Sequence, residues 1–100
     1  MSDLENNLSL LQQRAVGKKP FGKVVTFDLG AEGVITLDAR GETIAVNQDP
    51  IPGDVTIGLS AADLNGLLTG RLNAQSLMMT GRAKLKGNTM VAMKLGDVLR

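Results

Sequence analysis

The sequence predicts an α+β fold, in which antiparallel strands form a sheet that helices cover on one face. In residues 21–47, and again in 54–59 and 82–86, apolar and polar residues alternate, which is the period of a half-buried strand. Between and around these segments, apolar residues recur at three- and four-residue spacing, which is the period of an amphipathic helix. A glycine or a capping residue stands at each junction, so the two kinds of element are clearly separated.

Short turns join the first strands, which predicts that they pair as an antiparallel meander. The predicted strands are 23–29, 33–40, 43–47, 54–59 and 82–86, with a Pro- and Gly-containing loop at 47–53. In the first strand Val25 and Phe27 are predicted to face the core, while Val24 and Thr26 belong to a mixed outer face. In the last strand Arg82, Lys84 and Lys86 are predicted to face outward.

Capping chemistry predicts where the helices begin and end. The predicted first residues or N-caps are Ser2, Ser60, Asn73 and Asn88, and the predicted helix ends are at Gly17, Gly70 and Gly81. Ser2 and Glu5 also form a capping box, S-x-x-E. Four helices are therefore expected, the first before the meander and the others after the fourth strand.

The composition excludes much chemistry. A chain of 100 residues predicts a single domain, 1–100. It has no cysteine and no histidine, which excludes disulfides, thiolate metal sites and the usual general base. We therefore expect no cofactor, no metal and no catalysis. An esterase-like enzyme that uses Ser60 or Ser76 stays open as an alternative, although helix capping and packing also explain both serines.

The partners are also constrained by composition. Two aromatic residues, Phe21 and Phe27, are too few for base stacking, so nucleic acid is not expected as a partner. No secretory signal, peroxisomal address or apolar run of about 20 residues is recognisable, which predicts a cytoplasmic protein. We expect a monomer.

Charge is segregated along the chain, although the net charge is only +1. Residues 14–23 carry basic residues without acids, residues 24–63 are mostly acidic, and residues 64–96 carry basic residues without acids. Such asymmetry can orient a protein in transient contact with an anionic membrane surface. The alternative is that these charges only keep the protein in solution, and the sequence leaves both interpretations open.

Residues 54–95 resemble the sterol carrier protein type-two family of non-specific lipid-transfer, sterol-binding domains, in the form of a stand-alone bacterial-type member. The resemblance rests on Asp54-Val-Thr-Ile, Asp63-Leu, Leu68-Thr-Gly-Arg-Leu-Asn73, Gln75-Ser76, Gly81-Arg-Ala-Lys-Leu-Lys-Gly-Asn88 and Met90-Val-Ala-Met-Lys-Leu95. It implies a five-stranded, mostly antiparallel sheet with helices on one face and an apolar tunnel between them. Methionines stand at positions 78 and 79 where relatives often carry aromatics, so sterol preference does not follow from the resemblance.

The resemblance and the apolar pattern together predict a binding protein for a hydrophobic ligand such as a fatty acid, acyl chain, sterol or isoprenoid lipid. The last helix resembles the segment that closes the tunnel. The predicted tunnel lining is Val25, Phe27, Ile35, Leu37, Ile44, Ile57, Leu64, Leu68, Leu77, Met78, Met90, Val91, Met93 and Leu95. The alternative is a non-catalytic accessory module that presents a lipid precursor, for example of an isoprenoid quinone, to biosynthetic enzymes.

Overall fold

The computed structural model of the chain describes residues 3–49 and 51–99, with side chains as far as Leu95. The helices are α1 Asp3–Ala15, α2 Ala61–Leu68, α3 Ala74–Met79 and α4 Thr89–Leu99. The strands are β1 Val24–Asp28, β2 Val34–Asp38, β3 Ala45–Asn47, β4 Val55–Gly58 and β5 Lys84–Gly87, and a short 3-10 turn spans Gly30–Glu32. Within the described residues, none of these helices is long and apolar enough to span a membrane.

The strands form one five-stranded sheet in the order β3-β2-β1-β4-β5. The central pair, β1 and β4, is parallel, and the other three pairs are antiparallel. The predicted α+β fold with a mostly antiparallel sheet is confirmed. Since β4 pairs beside β1 and not at the end of the meander, the sheet grows in both directions from its first strand.

Three helices begin at the N-capping residues that the sequence predicts. The Ser60 Oγ accepts the Asp63 N–H at 3.0 Å, and the Asn73 Oδ1 accepts the Ser76 N–H at 2.8 Å. The Asn88 Oδ1 accepts the Met90 N–H at 3.0 Å at the start of α4. These bonds satisfy backbone donors that have no partner inside the helix. The predicted cap Ser2 lies outside the described residues.

The covered face of the sheet and the helices enclose the core. On β1 and β2 the inward side chains are almost fully buried, as are residues of α1 and α2 that pack over them. These core residues are Val25, Phe27, Ile35, Leu37, Leu11, Leu64 and Leu68. Burying each side chain of this size stabilises the fold by about 1.5–3 kcal/mol, which offsets the entropy lost on ordering the chain.

The outer face of the sheet is less exposed than the alternation predicts. Val24 and Thr36 are both buried, and Thr36 is bonded to the loop that follows β3. The Thr36 Oγ1 donates to the Asp49 carbonyl oxygen at 2.5 Å, and the Val24 N–H donates to the Asp54 Oδ2 at 2.8 Å. Periodicity reports which face a residue occupies but does not report what covers that face.

The end of β2 carries an ion pair that gives a testable pH dependence. Hydrogen bonds from the side chain and backbone of Arg40 lower the pKa of Asp38 below its ordinary 3.8. Because the pKa is lower in the folded state, the stabilisation is present above the unfolded value and is lost as the pH falls through the folded value. We expect Arg40→Gln to raise the pKa of Asp38, measured by NMR titration of the carboxyl carbon. The same substitution at Glu42 should leave it unchanged, and a pKa that Arg40→Gln does not move would contradict this.

Candidate functional site

An apolar cavity of about 330 Å³ lies between the covered face of the sheet and the helices that follow β4. Its lining residues are Phe27, Ile57, Leu59, Leu67, Ala74, Leu77, Met78, Ala83, Leu85, Ala92 and Leu95. All of these side chains are hydrocarbon or thioether. The volume lies at the lower end of the range, about 300–1,000 Å³, that is typical of small-molecule pockets.

The floor of the cavity is one row of side chains across three strands. Phe27 of β1 lies opposite Ile57 of β4 in the parallel pair, and Ile57 lies opposite Leu85 of β5 in the antiparallel pair. Residues in register on neighbouring strands point to the same face of a sheet. The floor therefore depends on the parallel pairing of β1 with β4, which joins segments far apart in sequence.

The roof comes from the two helices that flank β5. Leu77 and Met78 of α3 line the cavity from one side, and Ala92 and Leu95 of α4 line it from the other. Met78 also remains 46% exposed, so the cavity reaches the surface beside it.

Small side chains keep this volume open. The wall includes three alanines: Ala74 of α3, Ala83 just before β5, and Ala92 of α4. Larger apolar residues at these positions would fill the space and pack like an ordinary core, since protein interiors are close-packed with few voids. The three alanines therefore leave space that larger side chains would occupy.

Part of the predicted lining surrounds this cavity. Phe27, Ile57, Leu77, Met78 and Leu95 line it. Val25, Ile35, Leu37, Leu64, Leu68 and Val91 are buried in the core without lining it, and Ile44 is half-buried. Met90 and Met93 are 69% and 78% exposed and do not line it either.

Sequence reasoning missed six lining residues: Leu59, Leu67, Ala74, Ala83, Leu85 and Ala92. A signal for four of them was present. Ala83 and Leu85 alternate with basic residues and therefore face the core, Leu59 alternates on one side of its strand with Ile57, and Leu67 lies at helical spacing with other leucines. Ala74 and Ala92 carry no such signal, since a small residue at an inward position is equally typical of tight packing and of an open cavity.

The basic residues of β5, and Arg82 just before it, face the other side of the sheet, as predicted. Arg82, Lys84 and Lys86 line an open groove on the outer face, which Asp28 and Ser60 also border. Arg82 forms a two-point ion pair with Asp63, a buried residue of α2. The groove and the apolar cavity therefore lie on opposite faces of one strand.

The arrangement is suited to binding an aliphatic chain. No side chain of the lining can form a hydrogen bond, so a polar group placed deep inside would lose bonds to water that no lining side chain replaces. The two serines of the esterase alternative are outside it. The Ser60 Oγ serves as the α2 cap, and Ser76 is exposed on α3.

Comparison with known proteins places the chain in a family. Residues 6–100 match the model of the SCP-2 sterol transfer family. The chain belongs to this family. Its relatives include a fatty acid-binding protein of Yarrowia lipolytica, 33% identical over 95% of this chain and 79% of that protein. Sterol carrier protein 2 of Gallus gallus is 34% identical over 80% of this chain, which spans only 16% of that protein's length. The resemblance to the sterol carrier protein type-two family is thus confirmed.

Solved structures of the same fold agree. A sterol carrier protein domain of Helicoverpa armigera superposes with a TM-score of 0.80 at 24% identity, over 98% of this chain and 86% of that one. Sterol carrier protein-2 of Aedes aegypti, in complex with palmitate, superposes with a TM-score of 0.65 at 15% identity. The superposition covers 99% of this chain and 96% of that one. A ubiquinone synthesis protein, UbiJ-SCP2, superposes with a TM-score of 0.73 at 17% identity, over 95% of this chain and 90% of that one. At these identities the comparisons show the shared fold.

Proposed function

We propose that this chain binds the alkyl chain of a lipid in the apolar cavity, and carries or transfers that lipid without a chemical reaction. The observation that carries the proposal is the cavity of about 330 Å³, whose lining side chains are all apolar. Relatives named for binding fatty acid and for lipid transfer support it. The absence of histidine and cysteine from the sequence is consistent with binding in place of catalysis. A cytoplasmic monomer remains our prediction.

The cavity volume favours a single alkyl chain over a sterol. A methylene group takes up about as much space as one molecule of liquid water, roughly 30 Å³. The cavity of about 330 Å³ therefore holds roughly eleven carbons. A sterol has many more carbons and a rigid ring system, so it would need a considerable expansion of the walls. The end of a longer fatty acid would protrude beside Met78 with its carboxylate in water.

The expected affinity follows from the number of enclosed carbons. Each buried methylene contributes about 0.8 kcal/mol, so roughly ten contribute about 8 kcal/mol before the cost of association. The net value then corresponds to a dissociation constant no lower than about micromolar. Affinity should rise with chain length until the cavity is full and then level off.

We expect fatty acids of increasing length, displacing a fluorescent fatty acid, to show this plateau near eleven carbons. Ala92→Phe should lower the affinity at least about tenfold, because the ring takes the place of several methylene groups. Ala62→Phe is the matched control, since Ala62 is exposed on α2 and away from the lining. Absence of saturable binding, or equal losses in both variants, would contradict the proposal.

An accessory role in isoprenoid-quinone synthesis is the second candidate. The fold shared with a ubiquinone synthesis protein favours it, although the identity of 17% carries no site-level argument. Lipids extracted from the purified protein and identified by mass spectrometry separate the two. Fatty acids or acyl lipids support carriage, whereas an isoprenoid quinone precursor, with no exchange of fatty acid between vesicles, supports the accessory role.

A further inference from the structure

The composition of this chain leaves methionine as the side chain that a mild oxidant attacks. The sequence contains no cysteine, histidine, tryptophan or tyrosine, but it contains five methionines. Peroxides oxidise the methionine thioether to a sulfoxide, and methionine sulfoxide reductases reverse this change. Met1 lies outside the described residues. The methionines that the structure describes are Met78, Met79, Met90 and Met93.

Met78 differs from the other three in its relation to the cavity. It lines the cavity and is still 46% exposed, so it is in contact both with the binding site and with water. Met79, Met90 and Met93 are more exposed and do not line the cavity. Among the described methionines, oxidation at Met78 therefore changes the wall of the binding site, and oxidation at the others changes the protein surface.

We propose that Met78 is a site of reversible oxidation, at which peroxide lowers the affinity of the cavity for an alkyl chain. This inference rests on the proposed lipid-binding function and adds to it a means by which the same cavity is regulated. Its two requirements are access of the oxidant to the thioether and a loss of binding when the thioether becomes polar. The position of Met78 at the border between cavity and solvent meets both.

The reaction needs peroxide alone as a co-reactant. A lone pair of the Met78 sulfur attacks one peroxide oxygen, the O–O bond breaks, and an S–O bond forms. The other oxygen leaves as hydroxide and takes up the proton of the transferred oxygen, so that hydrogen peroxide yields water. The sulfur is oxidised and the peroxide is reduced. No base or metal of the protein takes part in this step.

A sulfoxide at Met78 weakens binding in either of the positions open to this flexible side chain. If the S=O group stays in the cavity wall, no lining side chain can donate a hydrogen bond to its oxygen when a ligand excludes water. If it turns out into water, the wall loses an apolar side chain where the cavity reaches the surface. The expected loss of affinity is about tenfold, typical of one polar group that is left without a partner.

The test combines hydrogen peroxide with displacement of the fluorescent fatty acid, and peptide mass spectrometry locates each sulfoxide. We expect oxidation to weaken binding about tenfold, and methionine sulfoxide reductase to restore it. Bound fatty acid should slow the oxidation of Met78 and leave the rates at Met79 and Met93 unchanged, because the ligand covers the lining alone. Far-UV circular dichroism should not change on oxidation, since the fold does not depend on a half-exposed side chain.

Substitutions at Met78 and Met79 form matched pairs on the same helix. The affinity of Met78→Leu should be the same before and after peroxide, because its lining contains no thioether. Met79→Leu should lose affinity on oxidation as the unmodified protein does. Met78→Gln introduces a polar side chain of similar length without any oxidant, and it should bind about tenfold more weakly. Met79→Gln should bind normally, since Met79 is exposed outside the lining.

Several outcomes would overturn the proposal. One is a protein with sulfoxide at Met78 that binds the fatty acid unchanged, and another is a Met78→Leu variant that peroxide weakens as much as the unmodified protein. Failure of peroxide to modify Met78 while Met79 is fully oxidised, or a loss of helical signal on oxidation, would also do so. Each of these leaves the binding of the unoxidised protein intact, whereas absence of saturable binding before oxidation would contradict the proposed function itself.

Discussion

Gly87→Ala is expected to destabilise the fold by about 3 kcal/mol or more, which is among the largest effects of any single substitution in this chain. Gly87 has a φ of +103°, and a Cβ at this position would lie 2.4 Å from the Asp54 carbonyl oxygen and 3.2 Å from the Val55 Cα. Both are backbone atoms at the start of β4, one of them in the residue just before it, so relief requires β4 and β5 to separate. The positive φ adds a cost of about 1–2 kcal/mol for a residue with a side chain. Urea unfolding measures the loss.

Gly81→Ala separates the two causes. Gly81 also has a positive φ, +75°, but a Cβ there would meet nothing within 4 Å. Its substitution should therefore cost only the conformational strain, about 1–2 kcal/mol. Equal losses at both positions would contradict the close approach of the two strands at Gly87.

This close approach matters for the candidate site as well as for stability. The Asp54 carbonyl that would meet the new Cβ also accepts the Asn88 N–H at 2.9 Å, immediately before α4. The same contact therefore sets the position of β5, which carries Leu85 in the cavity floor, and of α4, which carries part of the roof. We infer that Gly87 is needed for the shape of the cavity, although it does not line it.

Elements governed by local chemistry could be predicted from the sequence. Ser60, Asn73 and Asn88 cap helices because their side-chain oxygens reach backbone N–H groups two or three residues later. Alternation likewise predicts that Ala83 and Leu85 face inward while Lys84 and Lys86 face outward. In each case the interaction that decides the conformation joins residues that are close in the sequence.

The lining of the cavity depends on contacts that the sequence pattern does not encode. Val25 and Phe27 both face inward on β1, but only Phe27 lines the cavity. Val25 lies opposite Leu37, which lies opposite Val46, and the Gln12 side chain of α1 donates to the Val46 carbonyl. That part of the sheet packs under α1 and is filled. Which half stays open depends on how the helices are placed over the sheet, and this placement is a property of the whole fold.

Arg82→Ala is expected to destabilise the fold by about 2 kcal/mol. The Arg82 Nε donates to the Asp63 Oδ2 at 3.2 Å, and its Nη2 donates to the Asp63 Oδ1. Asp63 is only 6% exposed, so loss of the guanidinium leaves a carboxylate that is largely buried and unpaired. Such losses reach about 3–5 kcal/mol in fully buried pairs, and we expect less here because the Arg82 side chain is 55% exposed.

Two comparisons isolate this pair, which joins the start of α2 to the chain just before β5. Arg71→Ala removes an exposed arginine whose side-chain bonds, within the described residues, go to Thr69 and Asn65, and should cost less than about 1 kcal/mol. Adding Asp63→Asn to Arg82→Ala should recover part of the loss, because the amide needs no counter-charge. If Arg82→Ala lowers the free energy of unfolding no more than Arg71→Ala does, water solvates the Asp63 carboxylate as favourably as the guanidinium pairs with it. The ion pair would then contribute to the position of β5 but little to the free energy of unfolding.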